Sequence, residues 1–501
     1  MQARRFSARA LWGLASWALP LAVVFLITPQ LLHALGPERF GVLMIILVTP
    51  LIAAQLDFGI ASSSVRRLAA ALVVGRVDVG RTLTTLAAAL GLIGLALGTA
   101  VWLAASSISA GLGFDKVLGT LPGIDLVHAC AVWIALSVAT LLPGIVARAS
   151  QALVWITAVQ TMSTVLLWLG ALLIVRADRS LTDIVALGVG LGVVFAIVTA
   201  LAMRRRVDWS GPLRFDYQLL AANRSFSVGM FGSQIASTLV YQGDRILILA
   251  VGSPAIAGAY ALCVNVANKT LAAVVAMTSF VFPHAAALYV NGGHAEIEEL
   301  SHALNRAVTI VVVPLLVPGW VLAEPFLALW LGKFSTIELT TAFRVLWLAF
   351  AIPAFAVPIG NILAASGHSA LAARFSWLTA LVVLGSIVLL VPRYGLIGAA
   401  IAMLLGMSTS FLFRLAAQRT LRLHAAQGFR RFWLGVGCGV FAQAALLVSS
   451  DGIAGWPGLL LVGGGAWAIF YLVRVIFGLL SPEEKQLLKR LAAIQERARK
   501  L

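Results

Sequence analysis

Charged residues are scarce in this chain of 501 residues. They make up 11% of the sequence, whereas 61% of the residues are hydrophobic and the mean hydropathy is +1.00. A soluble domain has about 25% charged residues, because its surface must be hydrated. The scarcity of charge therefore excludes a soluble enzyme or a secreted scaffold, and it identifies an integral membrane protein.

Several chemical motifs are also missing. The three cysteines, Cys130, Cys263 and Cys438, lie in separate apolar stretches, which excludes a disulfide framework and a cysteine metal cluster. No G-x-x-x-x-G-K run is present, so the chain is not an ATPase with its own phosphate-binding loop. The longest predicted outer loop, 106–125, carries only Asp115 and Asp125 as acids. We therefore expect no cofactor, no metal and no enzymatic activity.

Long apolar runs fill the sequence. A helix needs about 20 apolar residues to cross a bilayer, and the chain contains about fourteen such runs. These runs predict an all-α polytopic membrane protein. The eighth run, 256–290, is too long for one span, and we expect it to extend beyond the membrane at its cytoplasmic end.

The basic residues are distributed unevenly between alternate loops. Of the 36 Lys and Arg residues, 26 fall on the side that carries both termini, six on the opposite side and four within spans. Cytoplasmic loops are enriched in Lys and Arg. Both termini are therefore predicted to be cytoplasmic, and the net charge of +17 reflects membrane topology rather than nucleic-acid binding.

Short sequence features recur at a nearly constant spacing of 215 to 217 residues. The matched pairs are Pro37 with Pro254, Pro143 with Pro358, and Ser150 with Ser366. The spacing predicts two six-span lobes, 1–215 and 216–425, followed by two extra spans within 426–480. Because each lobe has an even number of spans, a pseudo-twofold axis along the membrane normal is expected to relate them.

The C-terminal tail, 481–501, has a different pattern. It begins with Ser481-Pro482-Glu483-Glu484, a capping box with proline at the first helical position. Leucines then follow one helical face, and basic residues follow the other. The pattern predicts a basic amphipathic helix on the anionic cytoplasmic surface of the membrane.

Glycine pairs spaced four apart occur within three spans. The pairs are Gly94 with Gly98, Gly188 with Gly192, and Gly435 with Gly439. Small residues at this spacing allow two membrane helices to approach closely. Each pair is therefore predicted to mark a close helix contact.

A set of turn and helix-end motifs follows the spans in order. The motifs are Gly36-Pro37-Glu38-Arg39-Phe40-Gly41, Leu56-Asp57-Phe58-Gly59-Ile60, Gly243-Asp244-Arg245-Ile246, Gly258-Ala259-Tyr260, Val281-Phe282-Pro283, Phe326-Leu327-Ala328-Leu329-Trp330-Leu331-Gly332, Leu363-Ala364-Ala365-Ser366-Gly367-His368 and Pro392-Arg393-Tyr394-Gly395. Over residues 10–420 their order resembles that of the Wzx-type flippases of the multidrug/oligosaccharidyl-lipid/polysaccharide exporter superfamily.

This resemblance implies a function in surface polysaccharide (exopolysaccharide or O-antigen) biosynthesis. It implies that undecaprenyl-diphosphate-linked oligosaccharide moves from the cytoplasmic to the outer leaflet of the bacterial inner membrane, through a central cavity between the lobes. Expected partners are this lipid-linked substrate, membrane lipids, a coupling cation, and the polysaccharide polymerase and chain-length machinery. No nucleic acid is expected to bind.

Polar side chains concentrate in the seventh and eighth spans. Since charges inside a bilayer are costly, each needs a partner or a function. Arg245 and Lys269 are candidates to attract the diphosphate. Tyr241, Gln242 and Asn265 are candidates to bind the sugar hydroxyls. Asp244 is a further candidate to line the cavity. The alternative is that Asp244 and Arg245 pair with other helices and fix packing.

Asp57 lies near the predicted end of the second span. It is a candidate for coupling-cation binding, since exporters of this superfamily can be cation-driven. A structural role, in which its carboxylate accepts hydrogen bonds where two helices cross, is the alternative.

Two other functions remain open. A cation-coupled drug antiporter of the same superfamily is the first. Two basic residues against one acidic residue in the seventh and eighth spans favour an anionic substrate over a cationic drug. A membrane polysaccharide polymerase or glycosyltransferase is the second, and it would need a large outer loop or carboxylates for acid–base catalysis, whereas the longest outer loop offers only Asp115 and Asp125.

Overall fold

The computed structural model is built from α-helices throughout its described part. It describes residues 2–57, 59–61, 64–65, 68, 79–118, 123–204, 215–216, 231–232, 234–278, 281–290, 293–423, 429–448 and 455–479. The chain separates into two compact units, Met1–Ala261 and Leu262–Leu501. The predicted amphipathic tail at 481–501 lies outside the described residues, and the predicted lobes 1–215 and 216–425 remain a prediction from the repeat.

The first unit contains the helices α1 to α9 and the start of α10. Their bounds are α1 (Gln2–Gln55), α2 (Val79–Leu103), α3 (Ala105–Leu112), α4 (Phe114–Leu118), α5 (Gly123–Ala139), α6 (Leu141–Ala149), α7 (Leu153–Arg176), α8 (Leu181–Arg204), a π-helical turn (Leu239–Gly243), α9 (Asp244–Val251) and α10 (Pro254–Met277).

The second unit contains the rest of α10 and eight further helices. Their bounds are α11 (Val281–Val290), α12 (His294–Val321), α13 (Ala323–Leu331), a 3₁₀ turn (Gly332–Phe334), α14 (Ile337–Ala354), α15 (Val357–Ala365), α16 (Ser369–Thr420), α17 (Phe429–Val448) and α18 (Gly455–Ile476).

The number of membrane-crossing segments agrees with the prediction. Ten helices in the described part of the chain are long and apolar enough to cross a membrane. Two of them, within α1 and α16, are interrupted by Gly36 (φ 74°) and Gly395 (φ 54°) and therefore count as two segments each. The helix 234–251 with its π turn and the shorter apolar helix Phe432–Val448 bring the total in the described part to fourteen segments. The predicted all-α polytopic fold is confirmed.

Glycines allow close helix contacts in both units. A Cβ atom at Gly94 of α2 would lie 2.3 Å from the carbonyl oxygen of Ala135 in α5. In the second unit, a Cβ at Gly439 of α17 would lie 2.6 Å from the Phe470 ring of α18. The predicted close contacts are confirmed at five of the six glycines. At Gly192 no atom lies within 4 Å of such a Cβ.

Several spans of the second unit are broken rather than continuous. The long run predicted at 256–290 forms two helices, α10 and α11, on either side of 278–280. At this break the Asn361 amide donates to the carbonyl of Thr278 at 3.3 Å, and at the break between α14 and α15 the Arg414 guanidinium donates to the carbonyl of Phe355 at 3.0 Å. Side chains from other helices thus donate to backbone carbonyls at both breaks.

Candidate functional site

The seventh span is an irregular helix at the position of the predicted site. The π-helical turn Leu239–Gly243 precedes α9, which begins at Asp244. A π turn contains more residues than an α turn, and such turns are frequent at functional sites. A regular α-helix would place Tyr241 and Arg245, four residues apart, on one face, and the π turn between them changes this register.

Asp244 is fully buried and bonded on both carboxylate oxygens. Its Oδ2 accepts a 2.7 Å hydrogen bond from the Tyr260 hydroxyl, and its Oδ1 accepts a 2.8 Å bond from the Arg245 amide. A buried carboxylate is tolerated only when hydrogen bonds or opposite charge compensate its lost hydration. Asp244 therefore ties the start of α9 to α10.

The other candidate residues of the seventh span are largely shielded from solvent. Arg245 is 7% exposed, and Tyr241 and Gln242 are half-buried. The Oε1 atom of Gln242 is buried and has no hydrogen-bond partner among the described residues. This buried amide oxygen therefore has unused acceptor capacity.

Asn265 and Lys269 belong to the second unit and lie on α10. They are four residues apart, which places them on one face of that helix. Lys269 is exposed and Asn265 is half-buried. Of the two, the candidate cation is the more exposed side chain.

Asp57 lies just beyond the end of α1 and is 6% exposed. Its Oδ1 accepts from the Gly59 amide at 3.0 Å, and its Oδ2 accepts from the Ala61 amide at 2.5 Å. Gly59 has a φ of 72°, so the chain turns here in a conformation that glycine adopts without strain. The carboxylate therefore caps the backbone after the turn.

Two glycines bring the first and second turn motifs of the repeat into contact within the first unit. A Cβ atom at Gly41 would lie 1.8 Å from the carbonyl oxygen of Pro254, and one at Gly258 would lie 2.7 Å from the Cα of Gly41. Gly41 and Gly258 are 217 residues apart, the spacing of the predicted repeat. The contact places α10, with Tyr260, directly against α1.

A cavity of about 500 Å³ also lies within the first unit. Side chains of α1 to α5 line it together with Ile246 and Ala250 of α9. Its wall is mostly apolar and carries no basic side chain that could pair with a diphosphate. Among the described residues no cluster of three His, Cys, Asp or Glu side chains is placed to hold a metal ion.

The sequence matches one protein family over more than half of its length. A family model described as "Polysaccharide biosynthesis protein" matches residues 33–334. The chain belongs to this polysaccharide biosynthesis protein family. No curated protein matches the sequence.

Solved structures show which fold this polysaccharide biosynthesis protein has. It is similar to the lipid II flippase MurJ in an inward closed conformation, with a TM-score of 0.71, 12% identity and coverage of 93% of this chain and 99% of that one. It is also similar to an inward-facing MATE-family multidrug resistance transporter of the MOP superfamily, with a TM-score of 0.65, 13% identity and coverage of 82% and 98%.

A third similar structure is a variant of the Vibrio cholerae MATE transporter VcmN. Its TM-score is 0.52 and its identity 20%, with coverage of 82% of this chain and 96% of that one. At these identities the likeness shows the fold. The fold that the resemblance implies is confirmed, and the assignment to the polysaccharide biosynthesis protein family agrees with the expected role.

In this polysaccharide biosynthesis protein the side-chain hydrogen-bond partner of Asp244 is Tyr260, a residue that was not predicted as part of the site. It is fully buried and donates to Asp244. The sequence shows it only as the last residue of Gly258-Ala259-Tyr260. An isolated tyrosine at the start of an apolar helix signals no partner by itself, although a nearby intramembrane aspartate requires one.

Proposed function

We propose that this protein is a flippase for lipid-linked oligosaccharide. In this proposal it moves undecaprenyl-diphosphate-linked oligosaccharide from the cytoplasmic to the outer leaflet of the bacterial inner membrane, for exopolysaccharide or O-antigen synthesis. Transport proceeds by alternating access of a central cationic cavity. The polymerase and chain-length machinery act on the product, and a coupling cation is a candidate partner of the cycle.

One observation carries the proposal. The polysaccharide biosynthesis family match, residues 33–334, includes all seven candidate site residues. The fold is that of transporters, and MurJ is named a lipid II flippase. A chain that serves polysaccharide biosynthesis with a transporter fold is best explained as the step that moves the lipid-linked sugar.

The charges of the candidate site support an anionic substrate. The buried guanidinium of Arg245 and the exposed ammonium of Lys269 suit a diphosphate, because Arg and Lys are the side chains that bind phosphate oxygens. Tyr241, Gln242 and Asn265 carry hydroxyl and amide groups suited to sugar hydroxyls. Asp244 acts in this proposal by holding α9 in place for Arg245.

Deletion of the gene provides the test. We expect lipid-linked oligosaccharide to accumulate with its sugar accessible only from the cytoplasmic side, measured with an impermeant probe on inverted and right-side-out vesicles. Reintroduction of the gene should restore access from the outside. Normal surface glycan in the deletion strain, with no second copy of the gene, would contradict the proposal.

The similarity to MATE transporters favours a cation-coupled drug antiporter as the second candidate. Under that function, deletion leaves the lipid-linked oligosaccharide unchanged and sensitises the cells to cationic drugs. The same strain therefore separates the two functions.

A further inference from the structure

Two prolines interrupt the hydrogen bonding of α12. Pro314 and Pro318 lie inside this helix. In an α-helix the amide of each residue donates to the carbonyl four residues earlier, and proline has no amide hydrogen. The carbonyls of Ile310 and Pro314 therefore lose their helical donors.

Both of these carbonyls receive a replacement donor from the two C-terminal spans. The hydroxyl of Tyr471 in α18 donates to the Ile310 carbonyl at 2.8 Å. The side-chain amide of Gln443 in α17 donates through Nε2 to the Pro314 carbonyl at 3.0 Å, and Gln443 is fully buried. Each donor from α17 and α18 thus reaches the carbonyl that one specific proline has left without a helical partner.

Apolar packing supports the same contact. Leu322, at the end of α12, forms a buried cluster with Leu447 of α17 and with Leu459 and Ala466 of α18. Inside a bilayer no water is present to satisfy a free carbonyl. The interruption of α12 is therefore stable only while α17 and α18 remain packed against it.

We propose that the two C-terminal spans are a brace for α12, in which Gln443 and Tyr471 are positioning residues that hold this helix in its proline-interrupted form. The proposal goes beyond the transport function, because it concerns what α17 and α18 do for the structure whatever the substrate is. It also assigns a purpose to the two spans that lie outside the predicted twelve-span repeat.

Rescue by a backbone amide tests the brace. In the purified full-length protein, Tyr471→Phe should raise hydrogen exchange in the 311–321 peptide by roughly threefold, the effect of a typical interhelical hydrogen bond in a membrane protein. Gln443→Leu should do the same. Pro314→Ala restores an amide opposite Ile310 and should cancel the effect of Tyr471→Phe, whereas Pro318→Ala should cancel that of Gln443→Leu.

The crossed combinations decide the outcome. Pro318→Ala should leave the Tyr471→Phe effect intact, and Pro314→Ala should leave the Gln443→Leu effect intact, because each proline frees a different carbonyl.

Tyr394→Phe and Gln160→Leu, both at exposed positions, serve as matched controls and should leave exchange in 311–321 unchanged. Unchanged exchange in the single variants, or equal rescue by either alanine, overturns the brace. These readouts require no transport, so they stand apart from the flippase test.

Discussion

The hydroxyl of Tyr260 donates a 2.7 Å hydrogen bond to Oδ2 of Asp244, and both side chains are fully buried. The bond joins α9, which carries Arg245, to α10, which carries Asn265 and Lys269. Asp244 lies next to the candidate substrate cation Arg245 in the chain, but the side chain that donates to its carboxylate is that of Tyr260. The position of Arg245 depends on this pair.

Removal of the Tyr260 hydroxyl should destabilise the protein. Tyr260→Phe leaves one oxygen of a buried carboxylate without its donor, at a cost of about 1.5–3 kcal/mol for a hydrogen bond to a charged group. We expect a lower melting temperature of the purified protein, while Tyr394→Phe, at an exposed position, serves as the control. In the Asp244→Asn background the loss should be smaller, and fully additive losses would show that the bond is unimportant.

Substitution of Gly41 should prevent close packing of α1 against α10. A Cβ atom there would lie 1.8 Å from the Pro254 carbonyl oxygen, so the backbone must move, and overpacking costs about 1–3 kcal/mol or more. We expect Gly41→Ala to lower the abundance of folded protein in the membrane, measured by fluorescence-detected size exclusion. The control is Gly91→Ala, where no atom lies within 4 Å of the added Cβ. Equal abundance of the two variants would refute the contact.

Charge at Arg245 and Lys269 should matter for transport itself. Lys269→Arg and Arg245→Lys retain a cation for the diphosphate, and we expect them to keep more glycan export per folded molecule than Lys269→Ala and Arg245→Ala. Lys333→Ala, which removes another exposed cation, should export like the wild type. If the alanine variants at 245 and 269 also match the wild type on this scale, neither residue handles substrate.

Variants of Asp57 separate a cap from a cation site. Its two carboxylate oxygens accept from the amides of Gly59 and Ala61; asparagine keeps one acceptor oxygen, whereas alanine keeps none and costs about 1 kcal/mol. A cap predicts that Asp57→Asn melts between the wild type and Asp57→Ala and retains the wild-type ion dependence. Loss of ion-dependent transport in a stable Asp57→Asn protein would instead establish cation coupling at this residue.

Reporter fusions test the orientation given by the basic loops. Reporters fused at Ser180 and Ser335 should lie outside the cytoplasm, and reporters fused at Arg204 and Arg422 should lie inside it. The 26 to 6 bias of Lys and Arg places Arg204 and Arg422 on the cytoplasmic side. A reporter found outside the cytoplasm at Arg204 would contradict the predicted orientation.

Sequence alone determined the fold class and the number of spans. Apolar runs of membrane length are a local property, and the fourteen segments follow from them because a bilayer admits little besides helices. Glycine spacing likewise located the contacts of Gly94 and Gly439, since a missing side chain permits close approach in any register. The family resemblance was also visible, because its motifs are turns whose residues are fixed by local backbone geometry.

The tertiary structure alone decided which polar groups meet. The sequence placed Asp244 beside Arg245 and predicted substrate contact or interhelical pairing, but only the folded chain brings Tyr260 to its carboxylate. The sequence likewise shows Pro314 and Pro318 in α12, but it does not show that Tyr471 and Gln443 donate to the carbonyls that these prolines leave without a helical donor. A hydrogen bond acts over about 3 Å, so its partner depends on the crossing and register of helices that are distant in sequence. No periodicity within a single helix specifies that register.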